Sequence, residues 1–133
     1  MSVLTGYLRY VLMQNAPVYA EVGARIYPKK LPLNPQIPAL VIIEPGTKTE
    51  ALTDTYSRVQ ISTFHAKGTS TSAYDNACAL SAKVKTALLN HTGYHNGVYV
   101  NDGIRHIIDV EPLDDNSDLS VVHSDYAVIW ETH

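Results

Sequence analysis

Apolar positions along the chain change period several times, and each change predicts an element. Leu4, Leu8, Val11 and Leu12 fall on one face at helical spacing, with Ser2 placed to cap the first turn. Asn15-Ala16-Pro17 stops or turns this helix, because Pro17 disfavours helical geometry at Ala16. Residues 18–24 leave room for a short helical turn closing at Gly23. ALVIIE, Ala39 to Glu44, lacks alternation, as expected of a central strand covered on both faces, and Pro45-Gly46 punctuates it. Residues 47–55 are polar and β-branched, a strand tip or a mobile hairpin arm. In SRVQISTFH, Val59 and Ile61 alternate with Arg58, Gln60 and Ser62, which predicts a half-exposed strand.

The clearest helix follows. Ser72 and Asp75 have capping-box spacing, with Asp in place of the usual Glu or Gln. Ala73, Ala77, Leu80, Val84 and Leu88 then form one apolar face down to Asn90, and Gly93 ends the segment. Ala73, Ala77, Ala79 and Ala82 are small enough to let this helix lie close to a sheet. GVYV, IRHIIDV and a final strand from about Leu119 to Glu131 complete the chain. In the final strand Tyr126, Val128 and Trp130 share one side, Ala127 and Ile129 the other. This order predicts a single α+β domain over residues 1–133, with a mainly antiparallel sheet of about four to five strands and two helices packed on one face.

One stretch resists this scheme. GARIYPKKLPLNPQIPALVII, Gly23 to Ile43, holds Pro28, Pro32, Pro35 and Pro38, four of the seven prolines, between a helix and the most apolar run.

Composition narrows the class. Hydrophobic residues make up 45% and charged ones 17%, which is globular but short of charge, so some surface is expected to meet a partner. A net charge of −3 provides no overall basic field for nucleic acid. Cys78 is the only cysteine, excluding an internal disulfide; within a helical pattern it reads as a small buried hydrophobe. The amino terminus is apolar but short and interrupted by Arg9, without a basic start or cleavage site, so neither a signal peptide nor a membrane span is expected.

Candidate chemistry is thin. His91 and His95 have i, i+4 spacing, but Gly93 between them breaks the helix that would align them. His65, His106 and His123 fall within or at the ends of strands, and no CxxC or HExxH accompanies them, so no metal or other cofactor is assigned. Asp114, Asn116 and Asp118 faintly echo a calcium loop, yet Leu119 replaces the turn glycine and Asp125 the closing Glu. DVEPLDDNSD therefore reads as a solvated acidic loop, or as an electronegative patch facing a basic partner or a nucleic-acid passage. Asp109 and Glu111, with Lys48 or Lys67, can be drawn as a metal-dependent nuclease, but paired acids at a strand end are common, and no GxSxG, P-loop or GxGxxG supports an enzyme.

The proline segment supplies a family. An amino-terminal helix, GARIYPKKLP, a spacer, PALVIIEPG, RVQISTFH, a helix and SDYAVIWE resemble, in order, the small tail completion proteins of long-tailed phages, also called tail terminator or tail-to-head joining proteins. The resemblance rests on Gly23, Arg25, Ile26, Tyr27 and Pro28, on Leu31-Pro32 and Pro38-Ala39-Leu40, and on Asp125 through Trp130. It implies a structural virion protein at the head-tail junction, assembled in the host cytoplasm. It further implies a homo-oligomer, a hexameric ring that caps the tail tube, meets the tail tube protein and the head connector or head completion protein, and passes DNA through its channel without sequence-specific binding. No membrane is involved and no catalytic residues are carried over. Lys48, Glu50, Leu52, Asp54 and Tyr56 of the arm, and Glu111, Asp114, Asp115 and Asp118 of the acidic loop, are the expected contacts with neighbouring copies, tube or connector. The competing readings are a neighbouring neck or tube component and a small metal-dependent hydrolase using Asp109 and Glu111.

Overall fold

A computed structural model describes residues 3–49, 55–66, 72–101, 103–110 and 119–132. Helix α1 (Val3–Gln14) is followed at once by α2 (Ala16–Val22). Asn15 joins them in an extended conformation, and its side chain accepts a hydrogen bond from the Val18 amide (3.2 Å), an N-cap with Pro17 inside the first turn. Pro17 thus starts a second helix as well as ending the first. Gly23 closes α2 at φ 55° and ψ −126°, a backbone conformation that an L side chain strains to adopt.

The remaining elements are β1 (Ile26–Pro28), β2 (Ala39–Thr49), β3 (Thr55–Ala66), α3 (Ser72–Leu88), β4 (Gly93–His95), β5 (Val98–Val100), β6 (Ile104–Val110) and β7 (Leu119–Thr132). The sheet order is β1-β2-β3-β7-β5-β4, with β6 lying beside β7 in line with β5. Every pairing is antiparallel except β1 with β2.

The α+β class and the helix-backed, mainly antiparallel sheet match the sequence expectation. The counts do not: the described residues form three helices and seven strands. The sequence reading missed β1 and β4 because each is three residues long and is stabilised only by its neighbour in the sheet. β2 also continues through Pro45-Gly46 to Thr49, because a bulge between Ile43 and Gly46 absorbs the proline within the ladder. The polar residues 47–49 and Thr55 are therefore the continuing tip of the β2–β3 ladder. α3 begins at Ser72 itself and ends at Leu88, with Asn90 in the left-handed region (φ 60°); Gly93, expected to stop the helix, lies in β4.

The core lies between the helices and one sheet face. Leu4, Leu8, Leu12, Val18 and Val22 meet Leu80, Val84 and Leu88 of α3 and the inward residues Leu40, Ile42, Val59, Ile61, Tyr126, Val128 and Trp130. Ala39–Ile42, the start of β2, is buried on both sides as expected, with Ala39 and Val41 on the face opposite the helices, while Ile43 and Glu44 are half-buried. β3 departs from simple alternation: Ser62 points away from the helices yet is only 1% exposed. Cys78 is half-buried in α3.

Candidate assembly surfaces

The proline segment is a loop closed at its base. Arg25 Nε donates to the Pro38 carbonyl (2.9 Å) and Nη2 to the Glu21 carbonyl (2.7 Å), while the Arg25 carbonyl accepts from the Leu40 amide (3.0 Å). One planar guanidinium thus ties the end of α2 to the point where the loop enters β2, a geometry a lysine cannot copy. Tyr27 and Pro28 lie opposite Val41 and Ile42 in the parallel β1–β2 pair, and Ile26 is buried in the core. Leu31 is half-buried, Pro32 exposed, and the Ile37–Pro38 peptide is cis. Leu33, next to Pro32, is 95% exposed, and Lys29 and Lys30 before them face solvent. The free edge of β1 is closed from the other side. Arg9 Nε donates to the Ile26 carbonyl (3.1 Å) and Arg9 Nη2 to the Ala24 carbonyl (3.0 Å).

The sheet face away from the helices carries a second group. Register places Tyr27, Val41, Ser62, His123 and Val110 in one row across five strands. The next row holds Gln60, Asp125 and Ile108, with Arg58, Ala127 and Arg105 beyond it. Arg58 Nη2 lies 2.6 Å from Asp125 Oδ2. Ser62 Oγ and His123 Nδ1 are 2.6 Å apart; burial pushes His123 below its ordinary pKa, opposed by the Asp125 charge. The burial of Ser62 makes this pair a lock between strands, with no accessible nucleophile. Trp130, the other end of the family-like closing strand, donates through Nε1 to Ser57 Oγ (2.9 Å).

On the helix side a polar cluster pins α3 to the sheet. Asp109 Oδ1 accepts from Ser124 Oγ (2.6 Å) and lies 2.7 Å from His106 Nε2, and its Oδ2 accepts from Lys85 of α3 (3.1 Å). Burial opposes the Asp109 charge, but the bonds from Ser124, His106 and Lys85 outweigh it and hold the carboxyl down to about 2. Ser81 Oγ sits 3.1 Å from Ser124 Oγ. The nearby Tyr126 hydroxyl is buried without a well-formed hydrogen bond to any described residue; burial and the Asp109 charge raise its pKa well above the tyrosine range, opposed only in part by the Ser124 hydroxyl, whose own hydrogen goes to Asp109. Ser124 and His106 both bond Asp109 and not each other, so a base and nucleophile are not paired here. Asp109 is fully engaged as a structural acceptor.

The β4–β5 hairpin and the turn before it are held to α1 by His95 and His91. His91 Nε2 lies 2.8 Å from the Tyr7 hydroxyl, and the His95 ring stacks on Tyr10 at 3.5 Å between centroids. Burial pushes His91 below its ordinary value and, with the Tyr10 charge second, pushes Tyr7 up. His91 and His95 therefore face two tyrosines one helical turn apart, a pairing hidden from local spacing. An open groove of about 220 Å³, lined by Asn15, Pro17, Ala82, Lys83 and Thr86, lies between α2 and α3. Among the described residues no three His, Cys, Asp or Glu side chains converge as metal ligands, and no helix is long and apolar enough to cross a membrane.

Of the expected contact residues, Tyr56 is half-buried in β3 opposite Lys48 and Ile129. The Lys48 side chain and Glu50, Leu52, Asp54, Glu111, Asp114, Asp115 and Asp118 lie outside the described residues. The residues that sequence reasoning missed are Arg9, Leu33, Ile107, Ile108 and Val110. Leu33 was visible as a large apolar residue amid prolines, and Ile107, Ile108 and Val110 as a β-branched run, but nothing local marked that strand as an edge.

No family model matches the chain, and no curated protein matches it in sequence. Among solved structures the fold is shared with a chain of the virion of a native gene transfer agent particle. The two are 16% identical and superpose with a TM-score of 0.74, over 96% of this chain and 94% of that one. The fold is therefore a whole-chain match to an α+β virion component.

Proposed function

We propose that this protein is a structural, non-catalytic component of a tailed virion, forming a ring that caps the tail tube and joins it to the head connector. The observation that carries this reading is the fold shared end to end with a chain of a gene transfer agent virion. The order of GARIYP, PALVIIEPG and SDYAVIWE supports the finer assignment to tail completion. In the fold these pieces become a closed loop at one sheet edge and the long strand β7 that organises the rest of the sheet. A hexamer, a DNA passage and contacts with tube and connector proteins belong to the same proposal.

The experiment is rescue in particles. Tails assembled without this protein should lose length control and fail to join filled heads, and the wild-type chain should restore both. Tails that stop and join normally in its absence would sink the assignment. Imaging labelled protein in whole particles separates the head-tail junction from a neighbouring neck or tube position.

A further inference from the structure

The two sides of the sheet are finished differently. At the β1 side the edge is closed: Arg9 occupies the carbonyls of Ala24 and Ile26, and Pro28 has no amide hydrogen. At the opposite side β6 is open. The turn after α3 covers only the first residue of the outer backbone edge of β6, through the Leu89–Ile104 bridge and the bond from the Asn90 amide to the Ile104 carbonyl (3.1 Å), while Lys85 of α3 reaches Asp109 on the helix side. Beyond Ile104 no described element pairs with the outer edge of β6. The register shift between His106 and Ile108 leaves Ile107 43% exposed, and Ile108 and Val110 are each 47% exposed. Arg105 and Asp109 put charge on this strand, yet Ile107, Ile108 and Val110 leave an exposed apolar strip along an unpaired edge, which a partner normally covers.

On the closed side, the loop between β1 and β2 presents Leu33, 95% exposed, on a proline-stiffened backbone pinned by Arg25. Lys29 and Lys30 flank it with no acid between Gly23 and Ile43. The chain leaving β6 has the opposite charge, with Glu111, Asp114, Asp115 and Asp118 and no base. Leu33 and the Ile107, Ile108 and Val110 strip are both apolar and lie on opposite sides of one sheet. Tyr27, in the strand leading into the loop, and Val110, at the end of β6, lie in one register row. A ring of identical copies joins two different surfaces of each copy head to tail, and opposite edges of one sheet are two such surfaces.

We infer that the Lys29–Ile37 loop of one copy docks through Leu33 onto Ile107, Ile108 and Val110 at the open β6 edge of the next copy, head to tail. The inference deepens the ring reading and rests on it for the closure of the assembly. Stiffening by proline and by Arg25 lowers the ordering cost of such a contact.

The test mixes two single-cysteine variants, both in a Cys78→Ala background: Leu33→Cys and Ile108→Cys. Under mild oxidation the mixture should give a mixed disulfide dimer, and neither variant alone should give much. A self-linked Leu33→Cys dimer as the main product, or no mixed product at high protein concentration, overturns the proposal. In parallel, Leu33→Asp should reduce association at least tenfold by light scattering without changing the melting of the monomer, since the side chain is 95% exposed. Unchanged association of that variant also overturns it. Failure here with successful particle rescue would leave the tail-completion role standing and move the contact elsewhere.

Discussion

At the scale of single residues, Arg25 is the one whose removal should be felt furthest. It is a charged donor to two carbonyls, at Glu21 and Pro38, that hold the ends of the loop. Arg25→Ala should cost about 1.5–3 kcal/mol in denaturant unfolding, the range for a hydrogen bond to a charged group. Arg25→Lys should recover little, because a point charge cannot span both acceptors. Tyr126→Phe runs the other way: its hydroxyl is buried without a described partner. Removing it should leave stability unchanged or raise it by up to about 1 kcal/mol, since the desolvation of that oxygen is no longer incurred. Leu12, fully buried, should lose about 2–5 kcal/mol as Leu12→Ala, while Leu33→Ser in the monomer should stay within about 0.5 kcal/mol. Arg25 stood out in the sequence as part of GARIYP, but nothing local foretold that Pro38, thirteen residues on, accepts from it.

At the scale of elements, three polar contacts depend on pH: the Asp109 pin between α3 and the sheet, the His91 contact with Tyr7 of α1, and the His123 lock between β7 and β3. Asp109 ties β6 to β7 and α3, with its carboxyl held at about 2. A lowered carboxyl contributes stability that is present above its unfolded value, ~3.9, and is lost as pH falls towards about 2. Acid titration of wild type against Asp109→Asn should show this loss in the wild type alone. His91 and His123 are lowered by burial, so the unfolded chain binds their protons more readily than the folded one. Stability should therefore fall as pH drops from neutral through the ordinary value of 6.5, and His91→Gln with His123→Gln should flatten that slope. The periodicity of α1, α3 and the inner face of β7 was legible because each buries one regular face. β1, β4 and the bulge that carries β2 through Pro45 were not, because they exist only through the strand beside them.

At the scale of the whole molecule, the sequence by itself determined the class: amphipathic helices backing a mainly antiparallel sheet, with Tyr126, Val128 and Trp130 inward. Those assignments follow from periods of 3.6 and 2, which are local properties. Tertiary structure alone decided which edge of the sheet is sealed and which is open. Sealing depends on Arg9 reaching the carbonyls of Ala24 and Ile26, and openness on what fails to pair with β6. It also decided that the four-proline stretch is a closed loop presenting Leu33, because the closing bonds join residues far apart in sequence. A hydrophobic pattern records how much of an element is buried. Which element does the burying is settled only when the strands take their order.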